Sequence, residues 1–321
     1  MTEPLYLFAE SAFPLPAYWA GLFLALLLCA ALFFRQARRQ GTATGRIIAF
    51  LVTAVLFSLF LGRLIYVFVN RETIFFDELG DYSGLSAFFV PAPHGFSIIG
   101  VISGILAAAF LVSGITRSRM ISLLDQAAAP LALLFGLARL LEPLSGQGYG
   151  EIVEAPFPQF FPFSLENDMG ERLLSVSSLS AFLALAVFLV LVLWRRGLAG
   201  KGFKAVFALV FLSIPQIIPE SLRRDDVLFI FIFARVTQVG YMLIYSGTTL
   251  YVLLRQRKRG VPAARLALRG LCTLVLIAVC IGCEFALDKT NYPKLAIYLV
   301  FAVTLCALAV MTWKQMERKP V

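Results

Sequence analysis

The chain has 321 residues, of which 60% are hydrophobic and only 15% are charged, and its formal net charge is +9. Long apolar stretches recur from Tyr18 to Trp313, far more than the core of a water-soluble protein of this size requires. The composition therefore excludes a soluble globular enzyme. We predict an all-α, polytopic integral membrane protein that forms a helical bundle.

About nine stretches are apolar and long enough to cross a bilayer as helices. They lie near 17–34, 46–69, 96–115, 121–141, 174–194, 203–219, 227–254, 266–284 and 294–313. The sixth stretch is short and contains Pro215 and Pro219, which predicts a break or a tilt near its outer end.

The charges of the connections predict the orientation of the helices. The connections on one side contain Arg35, Arg38, Arg39 and Arg46, then Arg117 and Arg119, then Arg195, Arg196 and Lys201, then Arg255, Arg257, Lys258 and Arg259, and finally Lys314, Arg318 and Lys319. Because cytoplasmic loops carry an excess of Lys and Arg, we expect the N-terminus outside and the C-terminus inside. This asymmetry explains most of the net charge, so we expect no nucleic-acid partner.

The cysteines and the single histidine, His94, do not form a metal-binding pattern. Cys29, Cys272, Cys280, Cys283 and Cys306 all fall inside apolar spans, where they act as small hydrophobic residues. His94 precedes a span and is expected in a solvated loop or at the interface. We expect neither a metal nor a cofactor.

Several arginines lie on the outer side, against the general charge rule. They are Arg63, Arg139, Arg223, Arg224 and Arg235. If the seventh span begins at residue 227, Arg235 is roughly 12 Å below its outer end and must pair with a carboxylate or line a polar cavity. Glu142 and Glu220, each three residues from an arginine, are the available acids.

Two interpretations fit these outer arginines. They form a belt of interfacial side chains and ion pairs, or they bind an anionic phosphate such as a phospholipid head group. Arginine suits the second role because its planar donor fork can hold two phosphate oxygens.

The residues around Arg139 form a signature. It consists of Leu124-Asp125, Ala129-Pro130, Gly136-Leu137-Ala138-Arg139, Glu142 and Ser145-Gly146-Gln147-Gly148-Tyr149-Gly150. This signature resembles that of the bacterial prolipoprotein diacylglyceryl transferases. Further matches are Trp19, Arg63, Ser97, Gly100, Gly104, Glu220, Arg223, Asp226 and Gln238. The resemblance covers about residues 17–254 and implies a transferase-like domain over 1–259, followed by two additional helices over 260–321.

The resemblance implies transfer of the diacylglyceryl group of phosphatidylglycerol to the lipobox cysteine of a preprolipoprotein in the bacterial plasma membrane. Phosphatidylglycerol or another anionic phospholipid and the preprolipoprotein signal peptide are the implied partners. The expected catalytic residues are Arg139, Glu142 and Glu220. The expected head-group ligands are Arg63, Arg139, Gly146, Gly148, Gly150, Arg223 and Arg235.

Some family positions are replaced. Ile99 stands where the family has a histidine, and Glu142 where it has an asparagine. Gln147 replaces a glutamate of the family, and Gln216 replaces one of its arginines. In one interpretation Glu142 is a relocated thiol base and Arg235 replaces the lost arginine. In another, the chain is a divergent paralogue that binds anionic phospholipid or modifies another acceptor, and Glu142 only pairs with Arg139. The third alternative is a transporter or a non-catalytic membrane partner.

Overall fold

The computed structural model describes residues 6–7, 15–69, 96–167, 169–194, 202–225, 230–231 and 234–317. His94 lies outside the described residues. The chain divides into two compact units, one formed by Met1–Ala205 and Arg223–Phe229 and the other by Val206–Leu222 and Ile230–Val321. The predicted boundary between residues 259 and 260 does not coincide with this division and stays a prediction.

The first unit contains five long helices. They are α1 (Ala17–Arg39), α2 (Thr44–Val69), α3 (Ile98–Ile115), α4 (Met120–Leu141) and α5 (Val176–Leu193). Helix α2 packs along α3, whereas α4 packs against α1 and α5. A 3₁₀ helix at Glu142–Ser145 follows α4 directly.

The second unit takes most of α6 (Phe203–Ser213) and the elements that follow it. These are a 3₁₀ turn (Ile214–Gln216), α7 (Ile217–Leu222), α8 (Val236–Arg257), α9 (Ala263–Lys289) and α10 (Lys294–Glu317). The 3₁₀ turn contains Pro215, so the predicted break in the sixth span is present.

Short antiparallel strands occur in the connections. The strands are β1 (Tyr6–Leu7), β2 (Leu15–Pro16), β3 (Tyr149–Ile152), β4 (Ser164–Glu166), β5 (Arg172–Ser175), β6 (Ile230–Phe231) and β7 (Ala234–Arg235). They form β1-β2 and β6-β7 pairs and a three-stranded sheet in the order β3-β5-β4. The three-stranded sheet lies in the long connection between α4 and α5.

Eight segments of the described chain are helical, long and apolar enough to cross a membrane. They are Ala17–Arg39, Thr44–Val69, Ile98–Ile115, Met120–Ser145, Val176–Leu193, Phe203–Leu222, Ala263–Lys289 and Lys294–Met316. The prediction of an all-helical, multi-pass membrane protein is confirmed. The number of spans and their orientation stay predictions.

Helix α8 is absent from these eight because it carries several polar residues on a buried face. Its Tyr245 hydroxyl donates to the carbonyl of Leu308 at 3.0 Å, and Thr249 lies within hydrogen-bond distance, 3.2 Å, of Thr312. Both partners belong to α10. These hydrogen bonds satisfy polar groups of α8 inside the second unit, so a less apolar helix can be accommodated there.

Helices α2 and α3 approach closely because α3 presents glycines to its neighbour. A Cβ atom on Gly104 would lie 2.5 Å from both the Cα and the N of Ser58. The Ser58 hydroxyl donates to the carbonyl of Val101 at 3.1 Å, which also links the two helices. Small residues of this kind allow backbones to pack in a membrane, where no hydrophobic driving force exists between helices.

We predict that Gly104→Ala destabilises the protein by about 1–3 kcal/mol, because its methyl group meets backbone rather than a movable side chain. Gly114→Ala is the matched control, since a Cβ at Gly114 meets no atom within 4 Å. Thermal unfolding in detergent measures both variants. Equal midpoints for the two would show that the α2–α3 approach is not tight.

Candidate functional site

Arg139 is placed by the last turn of α4. Its side chain is buried, and its guanidinium carbon lies 5.6 Å from the ring centroid of Phe135, one turn earlier. The cation is close to the C-terminal end of the helix, where the carbonyl dipoles favour positive charge. Glu142 opens the following 3₁₀ helix and therefore stays on the same face as Arg139.

Glu142 joins two arginines that are distant in sequence. Arg139 Nη1 donates to both Glu142 oxygens, at 3.1 and 3.0 Å, and Arg223 Nη2 donates to Glu142 Oε1 at 2.7 Å. Arg223 also donates through Nε to the two oxygens of Asp225, at 3.0 and 3.2 Å. We call Arg139, Glu142, Arg223 and Asp225 the arginine cluster.

The arginine cluster is balanced in charge and mostly withdrawn from solvent. It holds two guanidinium groups and two carboxylates, and the side chains of Arg223 and Asp225 are only 3% and 1% exposed. Each buried charge is offset by a hydrogen-bonded partner, which buried ions require. Because both oxygens of Glu142 accept from guanidinium groups, this carboxylate acts as a counter-ion in the structure.

The glycine-rich loop between α4 and β3 is tied to the arginine cluster. Gly146 and Gly148 have φ values of 74° and 83°, in the left-handed region that favours glycine. The Gly148 N–H donates to Asp225 Oδ2 at 2.9 Å, and its carbonyl accepts from Ser177 N at 2.8 Å. A Cβ on Gly148 would lie 2.5 Å from Ser177 Cβ, so only glycine permits this approach to the start of α5.

The other expected head-group ligands of the first unit take different places. Gly150 lies in β3, which pairs with β5. Arg63 is buried on α2, with its guanidinium carbon 5.5 Å from the centroid of the Tyr66 ring. The structure thus brings Arg139, Glu142, Arg223 and Gly148 into one hydrogen-bonded group.

Two further predicted residues, Glu220 and Arg235, belong to the second unit. Glu220 is fully buried on α7, and its Oε2 accepts from the Thr237 hydroxyl at 2.9 Å. Arg235 is also buried, and its backbone N–H donates to Gln238 Oε1 at 2.9 Å. Glu220 and Arg235 therefore belong to a group of hydrogen-bonded polar residues where α7 meets the start of α8, which we call the junction of α7 and α8.

The expectation that Arg235 lies well inside a helix is wrong. Helix α8 begins at Val236, and Arg235 is the residue immediately before it, in β7. The preceding sequence, Val227-Leu228-Phe229-Ile230-Phe231-Ile232-Phe233, is rich in β-branched and aromatic residues, which favour strands over helices. Apolar character alone therefore does not place the start of α8, which begins after β7.

Sequence reasoning missed Asp225 and Thr237. Asp225 follows Arg223 by two residues, but the resemblance drew attention to the neighbouring Asp226, which lies outside the described residues. Thr237 precedes the matched Gln238 and is an uncharged residue without a motif. Local charge spacing could have suggested Asp225, whereas the contact between Thr237 and Glu220 depends on the tertiary fold.

A cavity of about 460 Å³ lies elsewhere in the first unit. Its lining includes Arg35, Arg39 and Lys204 and contains none of the predicted site residues. Within the described part of the chain, no group of three or more His, Cys, Asp or Glu residues is arranged to hold a metal ion.

The sequence model of the family described as prolipoprotein diacylglyceryl transferase matches residues 7–254 of the chain. No curated protein sequence matches the chain. The matched range includes the arginine cluster and the junction of α7 and α8. It ends inside α8, so that α9 and α10 lie beyond it.

We predict that Glu142→Gln destabilises the first unit by about 3–5 kcal/mol, because two buried guanidinium groups would then share one carboxylate. The control is Glu151→Gln. Glu151 pairs with Arg224 at 2.6 Å, but both side chains are more than half exposed, so its loss should cost about 1 kcal/mol or less. Thermal unfolding in detergent compares the two variants. Equal shifts in the midpoint would contradict a buried counter-ion at Glu142.

Proposed function

Because the chain belongs to the prolipoprotein diacylglyceryl transferase family, we propose that it transfers the diacylglyceryl group of phosphatidylglycerol to the thiol of a lipobox cysteine. Membership of this family gives the chain a transferase role in lipoprotein biosynthesis, and its long apolar helices make it a multi-pass membrane protein. The lipid donor, the lipobox acceptor and a location at the outer leaflet of a bacterial plasma membrane are parts of the proposal.

The observation that carries the proposal is the burial of Arg139 and Arg223 around one carboxylate. Both residues belong to the positions at which the sequence resembles the family, and together they provide donor forks of the geometry that carboxylates and phosphates accept. Glu142 occupies the position between them that an anionic oxygen would take. A phosphate that replaces or shares Glu142 at this position therefore meets donors that are already oriented.

The reaction sets two chemical tasks. The sulfur of the cysteine forms a bond to the glyceryl carbon, the bond between that carbon and the phosphate oxygen breaks, and glycerol phosphate leaves with the electron pair. The protein has to stabilise the charge that develops on the leaving phosphate and accept the proton of the thiol. The arginines serve the first task.

The two predicted catalytic carboxylates differ in their contacts. Both oxygens of Glu142 are engaged by guanidinium groups, which supports a role in orienting the arginines. Glu220 is buried, and one of its contacts is the Thr237 hydroxyl, which donates to its Oε2. Because Glu142 is engaged by the arginines, we assign Glu142 as counter-ion, and we assign the thiol proton to Glu220, the other catalytic carboxylate that the resemblance implies.

One observation favours a second candidate function. Both carboxylates of the arginine cluster, Glu142 and Asp225, are engaged by arginines, so the cluster itself offers no thiol base. A paralogue that binds anionic phospholipid without transferring its diacylglyceryl group needs the arginines but no base. This function differs from the first in requiring no acceptor thiol.

We predict that the purified protein transfers label from phosphatidylglycerol to a lipobox peptide and that Arg139→Lys lowers the rate about 100-fold. Lysine keeps the charge but loses the fixed donor fork, and losing one oriented donor typically costs this much. The measurement is the initial rate of peptide lipidation in detergent or nanodiscs.

The matched control is Arg224→Lys, because Arg224 is an outer arginine in an exposed ion pair with Glu151. Its rate should stay within about twofold of the wild type, since exposed pairs contribute little. A wild-type protein that binds phosphatidylglycerol through Arg139 but lipidates no peptide would refute the transferase function and support the lipid-binding one.

A further inference from the structure

Helix α9 carries a carboxylate, Glu284, about one and a half turns before its C-terminal end at Lys289. Glu284 lies in Ala263–Lys289, which is long and apolar enough to cross a membrane, and beyond the part of the chain that matches the family. An ionisable side chain in such a helix is costly and indicates a specific partner. If α9 only had to pack against its neighbouring helices, a leucine in place of Glu284 would serve.

Both oxygens of Glu284 contact residues of the family-matched region. Gln238 Nε2 donates to Oε1 at 2.6 Å, and the Ser221 hydroxyl donates to Oε2 at 3.4 Å. The Tyr298 hydroxyl of α10 lies 3.3 Å from Ser221 Oγ. The two helices beyond the family match therefore reach the ends of α7 and α8 through polar side chains.

Glu284 fixes the orientation of the Gln238 amide. The second hydrogen of Gln238 Nε2 is directed to the carbonyl of Ile217 at 3.2 Å, and its Oε1 accepts from the backbone of Arg235. The amide is thus hydrogen-bonded on all three sides, to α7, α9 and its own helix start. Such a fully bonded amide holds one rotamer.

The hydrogen bonds of Gln238 also affect the position of Glu220, the proposed acceptor of the thiol proton. Gln238 follows Thr237 directly, and Thr237 donates to Glu220. Gln238 also binds the backbone of α7 at Ile217, three residues before Glu220. A shift in the Gln238 amide would therefore move both the helix that carries Glu220 and the hydroxyl that binds it.

We propose that Glu284 is a positioning residue for the transfer reaction: it orients Gln238 and Ser221 and thereby holds Glu220 and Thr237 in their relative geometry. The inference rests on the proposed function, because Glu220 is the base in that function. It gives the helices beyond the family match a part in catalysis, although Glu284 touches neither substrate.

The test compares Glu284→Leu and Glu284→Gln in the peptide lipidation assay. Leucine removes both acceptor oxygens, so we expect kcat to fall about 10- to 100-fold, as small misplacements of catalytic groups do, with KM for phosphatidylglycerol within about twofold. Glutamine retains one acceptor oxygen for Gln238 and should restore kcat to within about threefold of the wild type.

Asp288→Leu is the matched control, since Asp288 is one turn further along α9 and its side chain is 47% exposed in a pair with Lys289. It should leave kcat unchanged. A second measurement uses Gln238→Leu, alone and combined with Glu284→Leu. If Glu284 acts through Gln238, the double variant loses no more rate than Gln238→Leu alone.

The outcomes separate the inference from the function. A wild type that lipidates the peptide while Glu284→Leu keeps full kcat, or losses that add in the double variant, would overturn the positioning role and leave the transferase intact. A folded Glu284→Gln as slow as Glu284→Leu would also overturn it. A wild type that lipidates no peptide would remove the proposed function and this role together.

Discussion

The compensation of buried charge is the constraint on which the arginine cluster and the segments bonded to it depend. Arg139 is fixed at the end of α4 and cannot lose its proton, so an anion has to accompany it. Glu142 supplies this anion, and its second contact brings in Arg223, which in turn requires Asp225. Asp225 then binds Gly148 and fixes the glycine-rich loop. One helical arginine thus determines the placement of two distant segments.

The fold could be predicted where information is local. Apolar length identified the long helices, and Pro215 indicated the break after α6. The pairing of Arg139 with Glu142 also followed from their spacing of three residues. The bond from Arg223 to Glu142 joins residues 81 positions apart, so no periodicity can reveal it. Arg235 shows the opposite error, because an apolar run does not by itself distinguish a strand from a helix.

The buried polar residues that the sequence indicated and those that it missed differ in charge. The arginine cluster relies on opposite full charges, whereas Thr237 contributes a neutral hydroxyl, which donates to Glu220. Neutral hydrogen bonds cost less to bury and can be fully satisfied by geometry alone. This explains why the sequence pointed to the arginines and overlooked Thr237. Charged residues are conspicuous in an apolar sequence, and small polar residues are not.

An internal carboxylate between two arginines has a consequence for any phosphate that binds there. The phosphate replaces or shares an existing anion, so the arginines gain less from it than isolated guanidinium groups would. In the proposed transfer reaction, the leaving glycerol phosphate would compete with Glu142 for the same arginines. We therefore expect donor affinity to be modest and product release to be rapid. Binding the donor and the transition state equally tightly would lower KM without raising kcat, so weak ground-state binding is compatible with an efficient transferase.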